Sequence, residues 1–252
     1  MPQQVDFSIV IPARYNSSRF PGKPLAEIDG VPMVMLVHQR ALESQAREVI
    51  IATDDERIAD VCRRAGARVC MTSPDHLTGT DRIAEVSRQV GWAEQQVVVN
   101  VQGDEPLIPV SAIRQVAANL HSCSQASVAT LCTPITDAQE LRDPNVVKVV
   151  FDKAGLALYF SRSLIPHDRD SISVQTPAFR HLGLYAYRVG FLSRYAEMAE
   201  CEIEQLEKLE QLRALWHGER IHVSEAVELP GMGVDTPADL DQVANIIKQM
   251  KQ

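Results

Sequence analysis

Short runs rich in Val and Ile alternate with longer stretches of helical periodicity through the first hundred residues, and no other feature narrows the possible folds as far. Candidate strands span 7–11, 48–52, 68–71 and 97–101, and segments at 33–44, 56–65 and 81–90 carry apolar residues at helical spacing between them. Strands joined through helices of this length pair in parallel, because a parallel pair requires a long crossover. Past residue 125 the pattern changes. Candidate strands at 127–131, 146–151 and 156–161 follow one another with little room for helices, which predicts antiparallel or mixed pairing. A polar stretch at 167–176 precedes a strand at 181–187, helices at 191–198 and 203–216, a strand at 221–227 and a closing helix from Pro237. The expectation is an α/β fold, with a mixed, mainly parallel central sheet flanked by helices and a small antiparallel excursion. No tract rich in Pro, Gly and Ser divides the 252 residues, of which 45% are hydrophobic, so a single domain is expected.

The formal net charge of -8 argues against a broad nucleic-acid or membrane surface, which would need clustered Lys and Arg. Five cysteines, Cys62, Cys70, Cys123, Cys132 and Cys201, contain no C-x-x-C pair and read as reduced, buried thiols. No segment reaches the roughly 20 apolar residues of a membrane span. Residues 1–7 lack the basic-then-apolar pattern of a secretory leader, so a cytoplasmic protein is expected.

In an open parallel sheet, ligands bind outside the carboxyl ends of the strands, which singles out the loops after Ile11, Ala52, Met71 and Val101. The first of these carries Arg14, Arg19 and Lys23 within ten residues. Arginine forks and a compact lysine charge, with backbone N–H groups of a Gly- and Ser-containing loop, suit a polyphosphate. The loop is not a Walker A motif, because no Gly lies five residues before Gly22 and Lys23 is followed by Pro24. The alternative is a solvated basic loop whose Pro and Gly only form turns.

Two carboxylates lie where a divalent cation could be held. Asp104 follows the most apolar strand, and Asp235 sits in a Gly-flanked loop before the closing helix. Such a pair suits Mg²⁺, which takes one or two protein oxygens and completes its shell with water and phosphate. On the residues alone, Asp104 reads equally as a turn residue before Pro106, and Asp235 as an ordinary helix N-terminal acid beside a possible cap, Thr236. His181 reads alone as a structural histidine, and the leucines 206, 209 and 212 as a core stripe that leaves Glu210 and Gln211 among solvated charges.

The run from Ile11 to Pro24, with Ala52-Thr53-Asp54, Gly79-Thr80-Asp81-Arg82, Asn100-Val101-Gln102-Gly103-Asp104-Glu105-Pro106, His181-Leu182-Gly183, Leu209-Glu210-Gln211-Leu212-Arg213 and Gly233-Val234-Asp235-Thr236-Pro237, resembles the sugar nucleotidyltransferases. Within them it is most similar to the 3-deoxy-manno-octulosonate cytidylyltransferases, over nearly the whole chain. Departures are modest: Phe20 stands for the more usual Leu, residues 16–18 vary, and the polar connection before His181 is short.

The resemblance implies a single-domain, Rossmann-like nucleotidyltransferase fold, with a nucleotide-binding part at about 1–125 and a sugar-binding and dimerisation part at about 126–235. It implies CTP and an acidic eight-carbon sugar as substrates, Mg²⁺ as cofactor, and a homodimer serving lipopolysaccharide synthesis. Carried over by position, Arg14, Arg19, Lys23 and Asp104 are catalytic, and Asp104 and Asp235 hold the metal. Pro12, Ala13, Arg14, Lys23, Thr80 and Arg82 meet the nucleotide, Gln102 either ligand, and Arg162, His181, Tyr185, Glu210 and Gln211 the sugar. No Ser/His/Asp or Cys/His arrangement argues for a covalent intermediate, so direct attack on the α-phosphate is expected. Sialic acid or an amino-substituted octulosonate are the alternative acceptors, and a non-catalytic nucleotide-sugar sensor is the alternative class.

Overall fold

The computed structural model describes residues 5–16, 19–76, 78–169 and 177–250. Strand β1 (Phe7–Ala13) leads through a 3-10 turn (Lys23–Leu25) and a small hairpin, β2 (Glu27–Ile28) and β3 (Val31–Pro32), into helix α1 (Met33–Glu43). Strand and helix then alternate as β4 (Glu48–Thr53), α2 (Glu56–Arg64), β5 (Arg68–Met71), α3 (Gly79–Val90), β6 (Val97–Asn100) and α4 (Val110–Ser122). The second half runs β7 (Val128–Pro134), α5 (Ala138–Arg142), β8 (Lys148–Phe151), β9 (Ala157–Ser161), β10 (Phe179–Arg188) and α6 (Val189–Tyr195). It ends with α7 (Glu202–Glu207), α8 (Gln211–Trp216), β11 (Ile221–Glu225) and α9 (Pro237–Met250).

The main sheet has the order β11-β7-β10-β6-β1-β4-β5, with β8 added to β10 and β9 to β8. Pairing is parallel between β11 and β7 and from β6 through β1 and β4 to β5. β10 is antiparallel to both β6 and β7, so within this seven-strand order it runs against the other six. The hairpin β8–β9, antiparallel to β10, is the expected excursion.

Reversal of β10 positions the site. Tyr185 lies opposite Asn100, the last residue of β6, and the preceding residues of β10 pair with β7 and β8 beyond that strand's end. The reversed strand thus carries its first half, His181 included, past the carboxyl end of β6 while still paired with β7, near the edge where ligands gather.

Side chains alternate across the sheet into two cores. Phe7, Ile9, Ile11, Leu182, Leu184 and Ala186 pack on one side with α1 and α4, whereas Val10, Ile50, Val98 and Tyr187 pack on the other with α3 and α6. Tyr185 and Tyr187 accordingly face away from Leu184 and Ala186. Central strands buried on both faces read as unbroken apolar runs, which is why β1 and β6 are visible in sequence.

Several elements differ from expectation; the β2–β3 hairpin and helix α5 were not foreseen, and two further differences shape the core and the site. Helix α4 has no counterpart among the expected segments, although Ala112, Ile113, Val116, Ala117 and Leu120 form its buried stripe; its N-cap Pro109 offers no side-chain cap to announce the start. The helix expected at 203–216 is two helices, broken where Lys208 adopts φ 53°. The break rotates the expected leucine stripe apart: Leu209 and Leu212 are buried, but Leu206 is 80% exposed.

Ile9, fully buried on β1 between two parallel neighbours, tests the packing. Ile9→Ala is expected to lower unfolding stability by about 2–5 kcal/mol in urea titration, through lost burial and the cavity left behind.

Candidate active site

The loops after β1, β5 and β6 enclose a cavity of about 370 Å³ lined by Pro12, Ala13, Arg14, Lys23, Gln102 and Asp104, among others. Close approach of two loops forms its floor. A Cβ on Gly103 would lie 2.8 Å from the carbonyl oxygen of Pro12, so only glycine lets the β6 loop pass the end of β1. Arg14 donates to the carbonyl oxygens of His76 (2.5 Å) and Thr78 (3.1 Å), tying the basic loop to the entry of α3.

Lys23 gathers the two distant carboxylates. Its Nζ donates to Asp104 Oδ2 at 2.7 Å and the Val234 carbonyl at 2.8 Å, and approaches Asp235 Oδ1 at 3.4 Å. Arg19, whose side chain is 65% exposed, reaches the same Asp235 oxygen at 3.0 Å. Thr236 and Asp239 cap α9 reciprocally, through Thr236 N to Asp239 Oδ2 (2.8 Å) and Asp239 N to Thr236 Oγ1 (3.3 Å). Capping therefore does not consume the Asp235 carboxylate.

A second cavity, of about 350 Å³, adjoins the first and shares Gly79 and Gln102 with it. Thr80, Asn100, His181, Tyr185, Tyr187, Tyr195, Lys208, Glu210 and Gln211 line it. Rings run along one wall, from His181 to Tyr185 (5.3 Å), Tyr187 (5.7 Å), Phe191 (5.9 Å) and Tyr195 (5.5 Å). Thr80 and Asp81 divide the work at the start of α3: Asp81 forms the capping box with Thr78, while the Thr80 hydroxyl donates across the cavity to Glu210 Oε2 at 3.1 Å. Glu210 as a residue is exposed, but its carboxylate sits among protein atoms, and that desolvation raises its pKa.

His181 is neutral. Burial pushes its pKa down to about 3. Thr130 Oγ1, which has carbonyls of Leu182 and Leu184 to donate to, accepts from His181 Nε2 at 2.9 Å. Burial likewise raises the phenols of Tyr185, Tyr187 and Tyr195, so all three remain donors. Two buried polar atoms of the lining, Asn100 Oδ1 and Gln211 Nε2, have no hydrogen-bond partner in the protein. An acceptor and a donor left open in one cavity suit a ligand rich in hydroxyls.

Of the residues expected to act, Pro12, Ala13, Arg14, Lys23, Gln102 and Asp104 meet at the first cavity, and Thr80, Gln102, His181, Tyr185, Glu210 and Gln211 at the second. Arg19 and Asp235 line neither but are joined to Lys23 directly or through each other. Arg82 is fully buried behind the site, pairing with Asp54 at 3.2 Å, and its Nε and Nη2 lack hydrogen bonds. Arg162 is not among the residues lining either cavity: its guanidinium donates to the carbonyls of Glu207 (2.7 Å), next to the lining residue Lys208, and Pro144 (3.0 Å). A cation that does line the second cavity is Lys208, at the helix break. Asn100, Tyr187, Tyr195 and Lys208 were not anticipated; a polar Asn closing the most apolar strand was the one available signal.

The profile of the cytidylyltransferase family matches residues 8–221, which span the strands supporting both cavities. The chain belongs to the cytidylyltransferase family. Among relatives of this cytidylyltransferase, the 3-deoxy-manno-octulosonate cytidylyltransferase of Idiomarina loihiensis is 55% identical over 249 residues, covering 96% of this chain and 98% of the relative. That of Vibrio cholerae is 52% identical over 253 residues, covering 98% and 100%. The solved structure of a CMP:2-keto-3-deoxy-manno-octonic acid synthetase complexed with CTP superposes with a TM-score of 0.90 at 42% identity, covering 97% of this chain and 99% of that one. A cytidylyltransferase from Leptospira borgpetersenii, at TM-score 0.63 and 14% identity over 97% of this chain and 87% of its own, shares the fold.

The buried histidine gives this cytidylyltransferase a pH signature. His181 titrates near 6.5 when unfolded and near 3 when folded, so between those values the unfolded chain binds more protons and falling pH destabilises the fold. Relative to His181→Gln, the wild type should lose up to about 1.4 kcal/mol of stability per pH unit between about pH 6 and 4, measured by urea denaturation.

Proposed function

We propose that the chain transfers CMP from CTP to 3-deoxy-manno-octulosonate, releasing pyrophosphate, and so serves lipopolysaccharide synthesis. The observation that carries this reading is the junction of two unlike cavities at Gly79 and Gln102, one rimmed by Arg14 and Lys23, the other by phenols and amides. The named activity of relatives above 50% identity over nearly the whole chain agrees with it.

In the reaction the anomeric oxygen of the sugar forms a bond to the α-phosphorus, the bond from that phosphorus to the β-phosphate bridging oxygen breaks, and the hydroxyl proton is released. No protein nucleophile enters, so the chain contributes alignment and charge neutralisation. Arg14, Lys23 and, at the rim, Arg19 neutralise the triphosphate and the departing pyrophosphate. Gln102, common to both cavities, lies at the boundary where the two substrates meet. Asn100, Gln211, Glu210 and the tyrosines hold the sugar hydroxyls, and Lys208 faces its carboxylate.

Asp104 and Asp235 would hold Mg²⁺. The fit rests on Lys23: an ammonium accepted by both carboxylates and the Val234 carbonyl marks a point where oxygen donors converge on positive charge. Once bound there, the ion supplies charge neutralisation at the α-phosphate. We further propose a cytoplasmic homodimer. Exposed Leu158, Leu206 and Trp216, all within the part assigned to dimerisation, support the second point. No helix among the described residues is long and apolar enough to cross a membrane.

A pyrophosphate-release matrix tests the reading, with four nucleoside triphosphates against octulosonate, its 8-amino analogue and sialic acid, with and without Mg²⁺. Release is expected with CTP, octulosonate and Mg²⁺ together; release with sialic acid alone would reassign the acceptor. Asp104→Asn and Asp235→Asn are expected to abolish release while melting cooperatively, and near-normal turnover of either would remove the metal assignment. Lys23→Ala should cost about 2–4 kcal/mol of transition-state stabilisation, read from kcat/KM.

A further inference from the structure

The two residues that most distinguish the second cavity, Glu210 and Gln211, stand on a turn that the local sequence does little to hold. Helices α7 and α8 have six residues each, and Lys208 between them adopts φ 53°, a conformation costly for any residue with a Cβ. Such a junction needs external restraint to keep one geometry.

That restraint is a buried ion pair lying outside the cavity. Arg213, on α8, donates from Nε to Glu204 Oε2 at 2.8 Å and from Nη2 to Glu204 Oε1 at 2.6 Å. Glu204 belongs to α7, so the fork spans the break, and the two side chains are only 8% and 9% exposed. The pair continues into the cavity wall. The Arg213 guanidinium lies 4.7 Å from the ring centroid of Tyr195, and the Tyr195 hydroxyl donates to the Glu210 carbonyl at 3.4 Å. Glu200 approaches Arg213 from outside at 3.8 Å. Neither Glu204 nor Arg213 lines either cavity.

We propose that Glu204 and Arg213 are positioning residues for the sugar: their two-point bond across the α7–α8 break, passed on through Tyr195, sets the turn that presents Glu210 and Gln211. The proposal rests on the assignment of the second cavity to the sugar. A bidentate, desolvated pair fixes orientation as well as distance, and a planar guanidinium against a ring limits rotation of α8 about its axis. Lysine at 213 would keep one charge but lose the fork and the flat contact.

Glu204→Gln and Arg213→Lys test this by steady-state kinetics with CTP and octulosonate, together with amide hydrogen exchange. Each variant is expected to raise the KM for the sugar about tenfold or more while leaving the KM for CTP and kcat within about threefold, the pattern of lost positioning on one substrate. Exchange at residues 208–211 should rise in both, with the central strands unchanged. An unchanged sugar KM, or equal rises in both KM values, would overturn the proposal. If Glu204→Gln does not fold, Arg213→Lys, which retains the charge pair, decides by the same criteria. Should the wild type release no pyrophosphate with octulosonate, the functional reading fails instead; exchange at 208–211 then tests the restraint by itself, and unchanged exchange overturns it.

Discussion

Reversal of one strand organises this molecule. With β10 antiparallel between β6 and β7, the sheet's ligand-bearing edge is extended by the first half of β10, and a wall rises beyond the carboxyl ends of the parallel strands. The parallel strands end in loops that converge on a cation-rimmed cavity, and the reversed strand supplies His181, Gly183 and Tyr185 to its neighbour. The two cavities border one another at Gly79 and Gln102.

Charge holds the other side. Lys23 comes from the loop after β1, Asp104 from the loop after β6, and Asp235 from the approach to α9, and the three meet through one ammonium. Lys23 opens the 3-10 turn, Asp104 lies just past the end of β6 and Asp235 just before α9, so regular elements anchor all three. Gly103 contributes sterically: its missing Cβ permits the approach that sets Asp104 beside the basic loop.

Much of this was legible in the residues, for identifiable reasons. β5, at the sheet edge, was bounded at Arg68–Met71 as expected, and β1 and β4, buried along nearly their whole length, to within two residues. The basic loop stood out by its three cations after the first strand, whereas the two aspartates read equally as turn and helix-start residues and were singled out by the resemblance. Arg162, a cation at a strand end, serves the backbone carbonyls of Glu207 and Pro144 in this structure, a use its sequence position did not reveal. The break at Lys208 was hidden because Leu206, Leu209 and Leu212 satisfy helical spacing whether or not a helix connects them. Tyr187 and Tyr195 were hidden because an aromatic that lines a ligand cavity has the same sequence signature as one in the core.

The hydrogen bond from Thr80 to Glu210 has a further meaning. Thr80 opens α3, whose entry is held by Arg14 of the basic loop, and Glu210 belongs to the turn on the opposite wall. One bond therefore closes a circuit between the elements assigned to nucleotide and to sugar. In thermodynamic terms, any coupling between the two cavities that this bond carries is reciprocal by linkage: order imposed at Thr80 from one side is inherited at Glu210, and returned in equal measure.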